Sequence, residues 1–252
     1  MKDFTNGAAS VPSMLSPELR NDVIPARNTK RPAPVFNASP KFVASVQNQE
    51  SAYRRWGKRA IDLVLLMLIL PIALPLLALS AIALSIEGQP ILFRQKRLGR
   101  GGRAFTMLKF RTMVPDAERR LEEYLQSDPL LRQEWDATQK LKQDPRITPL
   151  GHFLRRSSLD ELPQLWHVLT GEMSLVGPRP MLPQQIDLYG DPYAYVAMRP
   201  GITGLWQVSE RNESDFTGRA VADREYERIC TLTTDLSLIA MTAGVMLRGT
   251  GY

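Results

Sequence analysis

The segment 154–164 reads Leu-Arg-Arg-Ser-Ser-Leu-Asp-Glu-Leu-Pro-Gln and sets two cations, Arg155 and Arg156, beside two carboxylates, Asp160 and Glu161. Two local structures fit it. In one, Ser158 and Glu161 form a capping box and the arginines are surface charge. In the other, Asp160 is the cap and Pro163 falls in the first helical turn, where a missing N–H costs nothing. The second places the carboxylates where a helix end and neighbouring arginines stabilise a phosphoryl group. Consecutive helical residues project about 100° apart, so Asp160 and Glu161 suit different tasks. An aspartate with a reference pKa of about 3.9 is ionised at neutral pH and can attack phosphorus without a neighbouring base. What it needs is neutralisation of the phosphoryl charge. Mg²⁺ meets that need, with Glu161 as the candidate ligand and a diphosphate substrate supplying further oxygens.

Further cations stand in other segments. Lys109 and Arg111 lie in Lys109-Phe-Arg-Thr-Met113, and Arg179 lies in Gly177-Pro-Arg-Pro180, where flanking prolines stiffen its backbone. Arg211 follows the glycine-rich stretch that starts at Gly201. All four are candidates to bind substrate phosphates, with Arg155 and Arg156. Trp206 reads as a packed or interfacial residue. His152 and His167 read as packing or hydrogen-bonding residues, because nothing near them completes a His-rich zinc set. Cys230 is the single cysteine, which excludes an intrachain disulfide.

What must position these groups begins with an apolar run over residues 60–86 that contains Pro71 and Pro75. Its 27 residues would exceed the roughly 30 Å hydrocarbon core as one helix. Each proline removes a backbone donor and presses on the carbonyl four residues earlier, so a kink or break is expected there. Arg54, Arg55, Lys58 and Arg59 precede the run, and Arg94, Lys96, Arg97, Arg100 and Arg103 follow it. Basic bias marks the cytoplasmic side, and equal bias at both ends suits a re-entrant helix that turns at the prolines. A kinked spanning helix is the competing topology, since prolines are tolerated in lipid.

The remainder divides into a tail and a catalytic body. Residues 1–50, rich in Pro, Ser, Asn and Ala, read as a disordered tail; 51–89 form the membrane helix, and 90–252 a cytosolic domain. Residues 90–95 and 104–110 are β-prone and separated by Gly99, Gly101 and Gly102, which predicts a hairpin. Residues 116–139 read as charged helix interrupted at Pro129. Residues 147–169 read as helix broken at Pro149, Gly151 and Pro163, and loops run from Gly171 to Gly204. Helix returns over 223–228 and 235–247. The expected fold is mainly α with a small β-hairpin, an α+β protein held to a membrane. The net charge of +6 suits a membrane surface or phosphate handling. Nucleic-acid binding is disfavoured, because the basic residues lack the interleaved aromatics of a stacking platform.

These segments together resemble the bacterial sugar transferases, the monotopic polyprenyl-phosphate phosphoglycosyl transferases that begin exopolysaccharide repeat units. The resemblance covers residues 53–252 and rests on Ser158-Leu-Asp-Glu-Leu-Pro-Gln164, Met173-Ser-Leu-Val-Gly-Pro-Arg-Pro180 and Arg199-Pro-Gly-Ile-Thr-Gly204, in that order. It implies that Asp160 attacks the β-phosphate of a UDP-sugar and UMP leaves. Undecaprenyl phosphate then takes the phosphosugar from the enzyme. It further implies Mg²⁺ at Glu161, phosphate contacts from Arg155, Arg179 and Arg211, and a re-entrant helix whose break corresponds to Pro75. Asp223 and Asp235 match aspartates of the family, and their roles are expected to be structural. His167 stands where Asn is common in the family, and Glu210 where Gly often precedes Arg-Asn. Among short members the chain looks most like the ExoY-type galactosyl-phosphate initiators of the bacterial inner membrane, with the catalytic domain facing the cytoplasm. UDP-glucose is the alternative donor, and a non-catalytic membrane-anchored interaction protein the alternative class. The apolar faces near 235–247 leave room for a homodimer.

Overall fold

A computed structural model describes residues 51–88, 90–138, 141, 143–209 and 216–247. The expected N-terminal tail and the candidate Arg211 lie outside the described residues.

Helix α1, Lys58–Ile86, follows a single π-turn at Tyr53–Gly57 and contains both Pro71 and Pro75. The expected interruption is therefore not an exit from helix. The helix continues through both prolines, which it tolerates when its other bonds and its packing hold it in register. Its 29 residues extend about 43 Å. Lys58, Asp62, Leu66, Ala73, Ser80 and Leu84 are buried and recur at steps of four and seven, so one stripe of the helix faces protein along its whole length. The rest is apolar and uncovered, with Leu68 68 %, Ile72 70 % and Ile86 80 % exposed.

The hairpin forms as expected, with β1 (Leu92–Leu98) reaching three residues beyond its predicted end and β2 over Ala104–Phe110. Leu92 pairs with Phe110 and Leu98 with Ala104. The turn between them uses Gly101 and Gly102 at φ 69° and 73°, a backbone region that glycine enters without strain. The charged stretch divides at Pro129 into α2 (Ala117–Ser127) and α3 (Pro129–Thr138). Asp128 caps the second by accepting from the Leu130 N–H at 2.8 Å.

Pro149 and Gly151 do not break their helix. Thr148 caps α4 (Pro149–Arg156) by accepting from the Gly151 N–H at 2.9 Å, and Pro149 occupies the first turn. Gly151 lies inside α4 because a Cβ there would stand 2.1 Å from the Thr112 carbonyl oxygen. A 3₁₀ helix, Leu159–Gln164, then leads into α5 (Leu165–Thr170).

The loop-like region beyond holds a second sheet that the sequence does not announce. Strands β3 (Ser174–Val176) and β4 (Gly201–Thr203) are three residues each and pair in parallel. Between them lie a 3₁₀ helix, Pro183–Tyr189, and the short α6 (Tyr193–Ala197). Helices α7 (Leu205–Ser209), α8 (Phe216–Ile229) and α9 (Leu232–Leu247) complete the fold.

Three buried apolar clusters hold these pieces, and α1 contributes to two of them. Leu66 and Ala73 of α1 pack with Met107, Val168, Met173, Val176, Tyr226 and Leu238. At the other end of the same helix, Leu84 packs with Phe110 and Leu154. The start of α1 is also held by polar contacts. Lys58 Nζ lies 2.6 Å from Asp235 Oδ2, and the Tyr53 and Tyr226 hydroxyls donate to the same carboxylate at 2.6 Å. Asp62 Oδ1 accepts from the Ser174 hydroxyl and the Leu175 N–H at 3.0 Å each. Asp235 is thus structural, as expected. Asp223, also buried, accepts from the Tyr189 hydroxyl.

Candidate functional site

The backbone around the carboxylate pair follows neither sequence alternative. Ser158 precedes the 3₁₀ helix in the left-handed region at φ 56° and makes no side-chain cap. Its carbonyl, not its hydroxyl, accepts from the Glu161 N–H, at 3.2 Å. Asp160 and Glu161 are the second and third residues of the helix, and Pro163 is the fifth, beyond the first turn. Three residues per turn puts the two carboxylates about 120° apart, a wider divergence than in an α-helix. The division of roles between them becomes sharper.

Asp160 is mostly buried. Burial raises its carboxyl to about 6; Lys109 and Arg155 pull it down, and the Glu161 carboxylate pushes it further up. The two cations belong to different elements. Lys109 comes from β2, and its Nζ lies 2.6 Å from Glu161 Oε1. Arg155 comes from the last turn of α4, where its Nε donates to the Thr112 hydroxyl at 2.8 Å. Burial lowers the Arg155 guanidinium below its ordinary value. Nearby, Asp144 and Arg146 form a buried bidentate pair at 2.8 and 2.5 Å, with the Arg146 guanidinium 5.4 Å from the Trp135 ring. Burial alone would raise Asp144, but the hydrogen bonds and charge of Arg146 hold it below the usual carboxylate range.

Beside the Asp160–Glu161 pair opens a cleft lined by Arg97, Met107, Lys109, Glu161, Gln164, Arg179, Pro180, Gly201, Ile202 and Gln207. Close backbone approach builds its far wall. The Gly177 N–H donates to the Thr203 carbonyl and the Gly201 N–H to the Pro178 carbonyl, each at 2.8 Å. A Cβ on Gly177 would stand 2.3 Å from the Arg199 carbonyl oxygen. Arg179 projects from this rigid turn between buried Pro178 and Pro180, and its carbonyl accepts from the Arg219 guanidinium.

Of the sequence candidates, the structure gathers Asp160, Glu161, Lys109, Arg155 and Arg179 around one site. Arg111 is turned elsewhere, its Nε donating to the Pro90 carbonyl at 3.1 Å. Arg156 is exposed and does not line the cleft. His167 is buried and hydrogen-bonded, as expected. Its Nε2 accepts from the Leu108 N–H at 3.1 Å, which leaves Nδ1 to donate to Glu172 at 2.7 Å. That bond fixes β2 at the residue before Lys109.

Arg97, Gln164 and Gln207 also line the cleft, and none of them stands in a motif that marks it as a site residue. For Arg97 a signal existed in the strand pattern. Residues alternate faces along a strand, so Gln95 and Arg97 share the face of their partners Met107 and Phe105, and hence that of Lys109.

A donor set for Mg²⁺ can be tested on these contacts. Among the described residues no group of three His, Cys, Asp or Glu side chains converges on one point. Glu161 at the cleft wall, with phosphate oxygens of a substrate, is nevertheless the set that Mg²⁺ commonly takes, one or two carboxylates plus phosphates and water.

A sequence profile of the bacterial sugar transferase family matches residues 53–249. The UDP-galactose-lipid carrier transferase of Erwinia amylovora is 46 % identical over 198 residues, which are 78 % of this chain and 42 % of that protein. The undecaprenyl-phosphate galactose phosphotransferase of Salmonella typhimurium is 42 % identical over 230 residues, 88 % of this chain and 48 % of that one. The chain thus spans about half the length of these two relatives. The exopolysaccharide production protein ExoY of Rhizobium meliloti is 38 % identical over 210 residues, 81 % of this chain and 92 % of ExoY.

Proposed function

The chain belongs to the bacterial sugar transferase family, and from that premise we propose that it transfers a hexose 1-phosphate, galactose favoured, from a UDP-sugar to undecaprenyl phosphate. UMP is released, and the product begins an exopolysaccharide repeat unit. The observation that carries this function is the setting of Asp160, a desolvated carboxylate flanked by Lys109 and Arg155 beside a cationic cleft. At pH 7 a carboxyl titrating near 6 is about nine-tenths ionised, so Asp160 is a ready nucleophile. One of its oxygens bonds to the sugar-bearing phosphorus, and the bridging P–O bond breaks with its electron pair leaving on UMP. An oxygen of undecaprenyl phosphate then attacks the same phosphorus, and the Asp160 carboxylate departs. No proton transfer is required in either step.

Lys109, Arg155 and Arg179 neutralise the phosphates and orient them. Glu161, held by Lys109, is the residue that would hold Mg²⁺. When bound, the ion would offset charge on the diphosphate. The names of the Erwinia and Salmonella relatives favour galactose and a lipid carrier.

The membrane arrangement is proposed to be re-entrant. Both ends of α1 pack onto the same folded body, Asp62 on Ser174 and Leu84 on Leu154, while its apolar flank stays uncovered. A spanning helix would carry one of those packed ends to the opposite side of the bilayer from the charged domain. A helix that dips into one leaflet keeps both contacts and buries the flank in lipid. In this reading Asp160 lies at the cytoplasmic face of the inner membrane, where a soluble nucleotide sugar and a lipid phosphate meet.

The test is UMP release by detergent-extracted protein with Mg²⁺ and undecaprenyl phosphate across a panel of UDP-sugars. UDP-galactose should be the preferred donor, and Asp160→Asn should release no UMP and form no phosphosugar adduct. Full activity of that variant would refute the covalent step. A preference for UDP-glucose would change only the sugar, whereas silence with every UDP-sugar would refute the function.

A further inference from the structure

Arg97 stands one residue before the end of β1, and its side chain lines the cleft with Lys109, Arg179 and Glu161. Two of its donors hold it in place. Nη1 donates to the Pro180 carbonyl at 3.0 Å, on the turn that carries Arg179, and Nη2 donates to Gln95 Oε1 at 2.5 Å. Its Nε is buried and has no partner. Among the described residues, no carboxylate lies within ion-pair distance of Arg97 or Arg179.

Burial and like charge both disfavour the charged form of this guanidinium. Burial first, and then the neighbouring Arg179, push it down to about 10, and Arg219 adds to the effect. Glu161 offsets only part of this, so holding these half-buried guanidiniums together opposes folding and an anionic ligand would relieve the cost. A guanidinium presents paired N–H groups that match two phosphate oxygens, which suits a phosphate better than a carboxamide or a hydroxyl.

Arg97 and Arg179 line the cleft with Lys109 and Glu161, whereas Asp160 and Arg155 lie outside its lining. Lys109 and Arg155 act on Asp160, while Arg97 and Arg179 act on each other. We propose that Arg97 is a substrate-binding residue which, together with Arg179, holds the nucleotide-side phosphate of the donor, the phosphate that departs. This rests on the assignment of Asp160 as nucleophile. When the Asp160 oxygen bonds to the sugar-bearing phosphorus and the bridging P–O bond breaks, the electron pair moves onto the nucleoside monophosphate. The charge that forms there meets the Arg97 and Arg179 guanidiniums. Arg97 would thus bind the donor and stabilise its leaving group.

The experiment measures binding of UMP and of uridine by calorimetry to the full detergent-extracted chain, in wild type, Arg97→Met, Arg97→Lys and Asp160→Asn. Loss of a charge-assisted phosphate contact should weaken UMP in Arg97→Met by roughly ten- to a hundredfold. Uridine affinity should be unchanged, so the ratio of UMP to uridine affinity falls; a merely structural defect would lower both. Arg97→Lys should lie between, because charge remains and the planar fork is lost, and Asp160→Asn should bind UMP at least as well as wild type. Wild-type UMP affinity in Arg97→Met overturns the proposal. If Arg97→Met loses its cooperative unfolding transition, Arg97→Lys decides, and an unchanged UMP-to-uridine ratio in it overturns the proposal. A wild-type chain that neither binds UMP nor releases it from any UDP-sugar overturns the transferase function itself. UMP release with both Arg97 variants unaltered overturns only the role of Arg97.

Discussion

Asp160→Asn should abolish the reaction and at the same time stabilise the fold. The structure raises this carboxyl from 3.8 to about 6, mainly by burial and net of attraction from Lys109 and Arg155. For a group raised on folding, the favourable contribution is full below the unfolded value and is lost as pH rises through the folded value. A shift of about two units at about 1.4 kcal/mol each means that ionised Asp160 opposes folding at pH 7 by about 3 kcal/mol. At pH 4 the opposition is under about 1 kcal/mol, because the folded form is protonated. Asparagine keeps the shape and removes the charge. Thermal unfolding of the detergent-extracted variant should therefore give a Tm roughly 6–12 °C above wild type at pH 7. The gap should largely close at pH 4. The same titration predicts that wild-type UMP release rises with pH through an inflection near 6. An equal difference in Tm at both pH values, or a loss of stability at pH 7, would refute the idea that this carboxylate is held against its desolvation.

Other elements give equally direct expectations. Lys58→Met leaves the Asp235 carboxylate buried with hydroxyl partners only, in a pair whose side chains are 8 % and 4 % exposed. It should lower unfolding free energy by about 3–5 kcal/mol, and Lys58→Met with Asp235→Leu by less than the two changes summed, in denaturant titrations. Gly177→Ala must push a Cβ into the Arg199 carbonyl oxygen 2.3 Å away, which should cost about 1–3 kcal/mol and slow UMP release by displacing Arg179. Tags at residues 1 and 252 should both resist a reagent confined to the periplasm; labelling of residue 1 from outside would refute the re-entrant helix and leave the chemistry standing.

Much of the fold is legible locally because its signals are local. The hairpin follows from two β-prone runs around Gly99, Gly101 and Gly102, and the α2–α3 division from Pro129. Pro149 and Gly151, breakers by local signal, lie inside α4. Proline reads as a breaker or as a first-turn residue depending on what caps it, and Thr148 settles that here. Gly151 answers to Thr112, nearly forty positions earlier, and no periodicity within α4 reveals such a neighbour. Strands β3 and β4, three residues each, fall below any pattern of alternation. Their pairing depends on a crossover and on the close backbone approach of Gly177 and Gly201.

By itself the sequence determined the kinds of groups available for the chemistry and the order in which they occur. Asp160 and Glu161 are adjacent, Arg179 sits between prolines, and a long apolar run stands between basic flanks; these are properties of neighbouring residues. Tertiary structure decided which cations meet. It brought Lys109 and Arg155 to Asp160, turned Arg111 and Arg156 away, and set Arg97 against Arg179. It also tied both ends of α1 to one body. The reason is physical: charge interaction and desolvation depend on distance through the folded protein, and that distance is fixed by contacts between residues far apart in the chain.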